Sequence, residues 1–344
     1  MADNPRPRRV TLHDVALQSG VSYQTVSRVV NDDPHVSRAT RQRVLQAIQS
    51  LNYRPNRAAR SLVTRRSQML EVIVFGGNHY GPSQMVANVE RAAHELGYSL
   101  ILTNVLEVTL EAVGDAIDRL SGRFADGIIF ITPLVGLDCD QLAALCGGTP
   151  FVLIDTQLGS LAPSVVIDQR YGSQLVTQRL IDLGHRDICE ISGPLDWFGA
   201  LARHESWRAT LEAAGLTPGV SVAGDWTAAG GYAAARRLLD GGARFTALVV
   251  GNDQMAFGAI RALRDCGRRV PEDVSVVGFD DIPEAAYYEP PLTTVRQDFD
   301  ALGRQSVEYL VGLIDRPETP LHQRVLYPTL VERQSARPPA AAGE

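Results

Sequence analysis

Several apolar runs of the chain are followed at once by polar or aromatic side chains. Asp155, Trp226, Asn252 and Asp280 each follow such a run, and Arg203 lies near the start of a predicted helix. Carboxylates and amides hydrogen-bond to hydroxyl groups, and an indole stacks on the apolar face of a sugar ring. These side-chain types predict a saccharide site, although an aspartate at a strand end is also commonly a helix cap or an ordinary loop residue.

From Met69 onward, short apolar runs alternate with helical patterns, and this rhythm predicts the elements that position those side chains. The predicted strands are 72–75, 100–102, 127–131, 151–154, 188–192, 220–224, 247–250 and 274–278. The predicted helices are 83–96, 110–121, 169–183, 200–214, 228–240 and 253–266. Such alternation is typical of parallel sheets covered by helices on both faces, whose ligands bind beyond the carboxyl ends of the strands. About ten strands favour two doubly wound α/β lobes over one sheet.

The N-terminal segment has the pattern of an all-α helix-turn-helix domain. Thr11 is suited to cap a first helix with Asp14 three residues later, and Gly20 lies in the turn that follows. Ser22 and Ser37 are expected to cap a second helix, 23–30, and a third, about 38–51. The predicted apolar stripe of the third helix consists of Val44, Leu45 and Ile48.

Charge is distributed unevenly along the chain. Residues 1–66 carry twelve arginines and four acidic residues, a net +8, whereas the remainder carries −14 and the whole chain −6. A concentrated basic segment favours a polyanionic partner, because phosphates that it neutralises release counterions. In a helix-turn-helix the second helix enters the major groove. The alternative is a three-helix bundle with a solvated basic face.

The second helix carries side chains suited to reading base edges. Its expected exposed residues are Tyr23, Gln24, Thr25, Ser27 and Arg28. Glutamine matches the donor and acceptor of adenine, and arginine matches the two acceptors of guanine. Ser22, Thr25, Ser27 and Asn31 are candidates for holding phosphates.

Residues 10–16 and 20–31 resemble the headpiece of the LacI family of transcription regulators. The core segments 224–226, 252–256, 276–281 and 290–295 also resemble that family, and the likeness runs from residue 10 to about 332. It implies two lobes of the periplasmic-binding-protein type and a repressor released from a palindromic operator by a galactoside-like inducer. By this resemblance, Asp155, Arg203, Asn252 and Asp280 bind sugar hydroxyls, Trp226 stacks on the ring, and Gln297 contacts the effector. The loop 75–81 departs from the family pattern. His79 within it is expected to be solvated, and a contact with the ligand is the alternative.

A hinge follows the headpiece in the family pattern, which Tyr53, Pro55, Asn56, Ala59 and Leu62 match. The resemblance implies a hinge helix in the minor groove with Leu62 wedged between base pairs; a plain arginine-rich linker is the alternative. The DNA-binding candidates are Thr11, Leu12, Ser22, Tyr23, Gln24, Thr25, Ser27, Arg28, Asn31, His35, Asn56, Ala59 and Leu62.

The expected domains are a headpiece at 1–54, a hinge at 55–66, a two-lobed core at 67–336 and a flexible tail at 337–344. Lobe 1 is expected at about 67–167 and 298–325, and lobe 2 at about 168–296 and 326–336. The C-terminus lacks the leucine heptad of tetrameric family members, so the expected assembly is a homodimer. Its expected partners are double-stranded operator DNA and a sugar, with no cofactor and no metal.

Several function classes are disfavoured by the sequence. No signal peptide and no apolar run long enough to span a membrane is present, so a cytoplasmic location is expected. The four cysteines lack zinc-site spacing and are expected to be reduced thiols. Nucleotide-binding, metalloprotease and hydrolase motifs are missing, although the adjacent Asp280 and Asp281 leave acid–base catalysis open. A transport-type sugar receptor, or a regulator that uses a different effector or a corepressor, would also fit the core.

Overall fold

The computed structural model describes residues 10–30, 33–53, 66–107, 109–120, 125–132 and 139–340. The chain divides into two compact units, one up to Ser67 and one from Gln68 onward. The DNA-binding candidates Asn31, Asn56, Ala59 and Leu62 lie outside the described residues, as do all residues of the predicted hinge from 55 to 65.

The first unit contains three helices, and their caps are those expected from the sequence. The helices are α1 (Leu12–Ser19), α2 (Tyr23–Val30) and α3 (Arg38–Ser50). Thr11 and Asp14 form a reciprocal capping box at the start of α1, and Gly20 ends that helix with a φ of 64°. The Ser22 hydroxyl accepts a hydrogen bond from the backbone N–H of Thr25.

Apolar side chains from all three helices pack into one small core. Val15, Val26 and Val44 are fully buried there. The prediction for Leu45 is wrong, since this side chain is 51% exposed and Ala47 is buried instead. Position 47 follows Val44 by three residues and therefore lies on the same face of α3, which position 45 does not.

The second unit contains two parallel sheets and one small antiparallel pair. The strands are β1 (Met69–Phe75), β2 (Ser99–Val105), β3 (Gly127–Ile131), β4 (Phe151–Ile154), β5 (Ser164–Ile167), β6 (Ile188–Ser192), β7 (Ser221–Ala223), β8 (Ala247–Val250), β9 (Ser275–Val277), β10 (Thr294–Arg296), β11 (Gln323–Leu326) and β12 (Thr329–Val331). The first sheet has the order β11-β5-β4-β3-β1-β2 and the second β7-β6-β8-β9. Strands β10 and β12 form the antiparallel pair, which the sequence pattern did not predict.

Helices cover the two sheets. They are α4 (Tyr80–Glu95), α5 (Leu110–Leu120), α6 (Cys139–Leu145), α7 (Gln169–Asp182), α8 (Phe198–Ala213), α9 (Ala228–Asp240), α10 (Asp253–Asp265) and α11 (Phe299–Asp315), together with a short 3₁₀ helix (Pro283–Ala286). Apolar clusters lie against each sheet, and β3 is buried along its whole length. Among the described residues, no helix is long and apolar enough to cross a bilayer.

The C-terminal segment packs against the core further along the chain than predicted. The expected flexible tail begins at Arg337, but the backbone N–H of Arg337 donates to the Ser275 hydroxyl at 3.1 Å. Its carbonyl oxygen lies 2.9 Å from Nε2 of the buried His185. The predicted boundary is therefore wrong at this residue, because Ser275 of β9 and the buried His185 satisfy its backbone.

Candidate ligand-binding site and nucleic-acid interface

Helix α2 exposes a row of side chains suited to contacting DNA. Tyr23, Gln24 and Arg28 are exposed, whereas Thr25 and Ser27 are half-buried. The helix that carries them is held in place by its opposite face, since Val26 and Val29 are buried in the core of this unit. The side chain of Arg28 keeps 64% of its surface exposed, with Nε 3.8 Å from Asp33 Oδ2.

The remaining described headpiece candidates already have roles within the fold. The hydroxyl of Thr11 donates to Asp14 Oδ2 at 2.7 Å, and Ser22 is a cap as described above. Leu12 is half-buried against the core. The exposed His35 is held by Asp33, whose Oδ1 lies 3.0 Å from His35 Nδ1. Hydrogen bonds to His35 lower the pKa of Asp33.

All six predicted effector residues line one cavity in the second unit. The empty space between its walls, together with the open solvent at its mouth, is about 460 Å³. The predicted residues on its wall are Asp155, Arg203, Trp226, Asn252, Asp280 and Gln297. Asp155 follows β4 of the first sheet, whereas Asn252 follows β8 and Asp280 comes after β9 of the second. The cavity thus lies where the carboxyl ends of strands from both sheets meet.

The backbone turns sharply at three of these positions. Asp155, Trp226 and Asp280 have φ angles of 58°, 71° and 112°. A non-glycine residue rarely adopts a positive φ, and tryptophan does so less readily than aspartate or asparagine. Such strained conformations cluster at binding sites, where surrounding contacts hold them in place.

A continuous line of hydrogen bonds crosses the floor of the cavity. Arg203 Nε donates to Gln169 Oε1 at 2.9 Å, and Gln169 Nε2 donates to Gln297 Oε1 at 2.9 Å. Gln297 Nε2 then donates to Asp280 Oδ1 at 2.6 Å. Arg203 also donates to the carbonyl of Gly251, and its guanidinium carbon lies 3.7 Å from the Phe279 ring centroid. These contacts preorganise donors and acceptors for a ligand rich in hydroxyl groups.

Burial dominates the electrostatics of the cavity. It raises the pKa of Asp155 and that of Asp280 to about 6 each, and the nearby Arg203 opposes both shifts. The pKa of Arg203 is lowered by the same burial, against the attraction of the carboxylates. Its Nη2 lies 3.9 Å from Asp280 Oδ1. One guanidinium therefore faces two carboxyl groups that ionise close to neutral pH.

Asn252 and the neighbouring Asp253 have structural partners. Asn252 Oδ1 accepts from the Met255 N–H at 2.9 Å, and its Nδ2 donates to the Trp226 carbonyl at 3.1 Å. This amide therefore caps α10 and also fixes the backbone that carries Trp226. Asp253 is fully buried and accepts hydrogen bonds from Thr294 and Ile282.

Asp281, the second member of the pair considered for acid–base catalysis, is held by two arginines. Arg296 Nε and Arg333 Nη2 each lie 2.6 Å from one of its carboxylate oxygens. Each oxygen of this carboxylate already accepts from a guanidinium, and the two ion pairs fix the side chain in place. The geometry therefore assigns Asp281 to positioning the loop that carries Asp280.

The cavity also contains residues that the sequence analysis missed. They are Tyr80, Gly81, Pro82, Met85, Gln169, Trp197 and Gly199. Trp197 follows the carboxyl end of β6, so the strand-end rule applied to that strand would have identified it. The expectation for His79 is wrong, since its half-buried ring lines the cavity 5.4 Å from the Trp197 ring. Burial lowers the pKa of His79.

Two family models match the chain. Residues 11–56 match "Bacterial regulatory proteins, lacI family", and residues 177–336 match "Periplasmic binding protein-like domain". The chain is 37% identical over 330 residues to the lactose operon repressor of Escherichia coli (strain K12), which covers 96% of this chain and 91% of the relative. It is 36% identical over 329 residues to the ribose operon repressor of the same strain (95% and 99%). It is 38% identical over 344 residues to the regulator CelR of Thermobifida fusca (96% and 99%).

Solved structures give a consistent comparison. The crystal structure of the lac repressor dimer bound to operator and the anti-inducer ONPF matches with a TM-score of 0.89 at 37% identity, covering 96% of this chain and all of that one. The complex of CelR with cellobiose matches with a TM-score of 0.72 at 35% identity, covering 95% and 100%. These relatives are regulators and not enzymes.

Proposed function

Because the chain belongs to the lacI family of bacterial regulatory proteins, we propose that it is a sugar-responsive repressor whose inducer is a β-galactoside or a related saccharide. A homodimer presents two headpieces to a palindromic operator, and the inducer releases it. The supporting observation is the convergence of Asp155, Arg203, Asp280 and Gln297 on one cavity lined by Trp226. That set supplies hydroxyl partners on one side and an indole face on the other.

The headpiece supports recognition of a specific duplex rather than of DNA in general. Its exposed Gln24 and Arg28 stand on a helix whose opposite face is buried. Base edges are read by such side chains, whereas the surplus of arginines in residues 1–66 supplies affinity that is independent of sequence. Two copies related by a twofold axis read an inverted repeat.

The effector acts only through a difference in its affinity for two states of the protein. In the proposed mechanism the sugar favours the arrangement of the dimer in which the paired headpieces lose the operator. The three relatives described above are named for different sugars or genes but have similar identity to this chain, so identity alone does not select the sugar. We favour a galactoside because the residues that follow the strands, Asp155, Asn252 and Asp280, resemble those of the lactose repressor.

A gel-shift titration tests this function. The full-length protein is mixed with a labelled palindromic lac-type duplex and an excess of random DNA, and methyl β-galactoside, lactose, cellobiose or ribose is then added. We expect a retained complex without sugar and its release by a galactoside. Release by cellobiose or ribose alone would assign that sugar as the effector in place of a galactoside. The absence of any preference for the palindrome would refute recognition of this operator.

A further inference from the structure

Trp197 occupies an unusual place in the cavity. It is the residue before α8, on the side of the second sheet, and it is only 9% exposed. Its ring centroid lies 5.7 Å from that of Trp226 and 5.5 Å from that of Phe75. Phe75 ends β1 of the first sheet, so this indole reaches from one lobe of the second unit to the other.

The backbone of the first lobe leaves room for this indole. Gly76 has a φ of 66°, and a Cβ atom added there would lie 2.5 Å from a ring carbon of Trp197. On the same side, His79 meets the indole edge-on, with an interplanar angle of 83°. The indole thus fills space bounded by Gly76, His79 and Phe75 and forms one wall of the ligand cavity.

The remaining space is small. The value of about 460 Å³ includes open solvent, so the space that the walls themselves enclose is smaller than this. We expect the enclosed part to accept one sugar ring with its hydroxyl groups. An indole and a pyranose ring are similar in size, so the Trp197 side chain takes up space on the cavity wall that a second ring would need.

We propose that Trp197 is a specificity-determining residue that restricts the effector to one sugar ring with, at most, a small substituent facing the indole. This inference rests on the proposed function, because it concerns a saccharide in the same cavity. Replacement by a smaller residue opens the space between Trp226 and His79, and an aromatic or second-ring substituent then gains apolar contacts there.

Calorimetric titration of methyl and phenyl glycosides of galactose and glucose, in both anomers, tests the proposal on the full chain. The ratio of phenyl to methyl affinity is the readout, because partial unfolding of a variant lowers both affinities and cancels. We expect Trp197→Ala to raise this ratio about tenfold relative to the unmodified protein, with Trp197→Phe intermediate. Trp207→Phe is the matched control, since Trp207 lies in α8, the helix that Trp197 precedes, is 1% exposed and does not line the cavity.

The outcomes separate this inference from the proposed function. An unchanged ratio in both Trp197 variants would overturn the role of Trp197 and leave the repressor assignment intact. Tight binding of phenyl glycosides or of lactose by the unmodified protein would also overturn the role of Trp197. If no glycoside binds either protein while the palindromic duplex is still bound, the saccharide assignment and this inference both fail, and DNA recognition stands.

Discussion

At Asp280 both the backbone and the side chain are constrained by neighbours. The residue has a φ of 112°, accepts a hydrogen bond from Gln297 and is 7% exposed. Its raised pKa means that the carboxyl group is ionised at pH 7.5 but partly protonated near pH 6. A sugar hydroxyl donates to the ionised form, so protonation competes with ligand binding.

We therefore predict that sugar affinity falls as the pH drops through about 6. The loss approaches tenfold per pH unit below that value for each carboxylate that must ionise. Calorimetry between pH 5 and 8 measures it. The Asp280→Asn variant is expected to bind more weakly at pH 7.5 and to show a shallower pH dependence. An identical pH profile in the variant would show that Asp280 is not one of the titrating groups.

The same shift has a consequence for stability. The folded pKa of Asp155 and Asp280, about 6, lies above the ordinary aspartate pKa of 3.8. Between these pH values the folded protein binds more protons than the unfolded chain, so the free energy of unfolding decreases as the pH rises from about 4 to about 6. Above that window the contribution of these two groups is constant.

In the headpiece, replacement of Arg28 tests whether the protein reads base edges. Its exposed side chain suits a guanine edge, so Arg28→Ala is expected to cost about 1–3 kcal/mol of operator binding and to relax one base position. Arg43→Ala, which removes the same charge from an exposed site on α3, is the control. Competition binding to operator and random duplexes measures both. Equal losses on the two duplexes for Arg28→Ala would argue against base reading.

On the scale of elements, the C-terminal segment after β12 holds the loop that carries the cavity aspartate. Arg333 pairs with Asp281 at 2.6 Å and donates to the Leu292 carbonyl at 2.7 Å. Ser335 accepts from the Thr293 N–H at 2.8 Å and donates to the Val276 carbonyl at 2.6 Å. The segment thereby ties the loop after β9 to the antiparallel pair.

We predict that Arg333→Ala lowers the free energy of unfolding by about 2 kcal/mol, because it leaves a nearly buried carboxylate with one partner only. Sugar affinity is expected to fall several-fold as Asp280 loses its support. Denaturant unfolding and calorimetry give the two values. Arg304→Ala, at an exposed site on α11, is the control and is expected to change neither. Unaltered sugar affinity in Arg333→Ala would show that the C-terminal segment does not support the ligand site.

At the scale of the whole molecule, charge is divided between the basic N-terminal segment and the acidic remainder. The net values of +8 for residues 1–66 and −14 for the rest favour DNA contact through the headpiece alone. Operator binding is therefore expected to weaken steeply with salt, and sugar binding in a cavity is not. In the proposed mechanism the two ligands are coupled only through the conformations of the dimer.

Thermodynamic linkage makes this coupling measurable from either ligand. If the sugar lowers operator affinity by a given factor, the operator must lower sugar affinity by the same factor. Calorimetric titration of the sugar into the protein, alone and saturated with the operator duplex, is expected to give a ratio equal to the shift in the DNA-binding curve. A random duplex at the same concentration is the control. Sugar affinity that is unchanged by bound operator would contradict the repressor mechanism.

The sequence by itself determined the local features of this protein. The caps at Thr11, Ser22 and Ser37, the βα rhythm and the basic headpiece depend on residues that are close in sequence, so periodicity and side-chain type reveal them. The same rules identified the strand ends near Asp155 and Asp280, because those turns follow directly from apolar runs.

Only the tertiary structure decided which of these residues meet. Gln169 and Gln297 are 128 positions apart, yet they share a hydrogen bond, and Trp197 reaches Gly76 across the cavity. The docking of Arg337 and the burial of His79 likewise depend on partners distant in the chain. No local pattern encodes such contacts, because they arise from how whole helices and sheets pack once their apolar faces are buried.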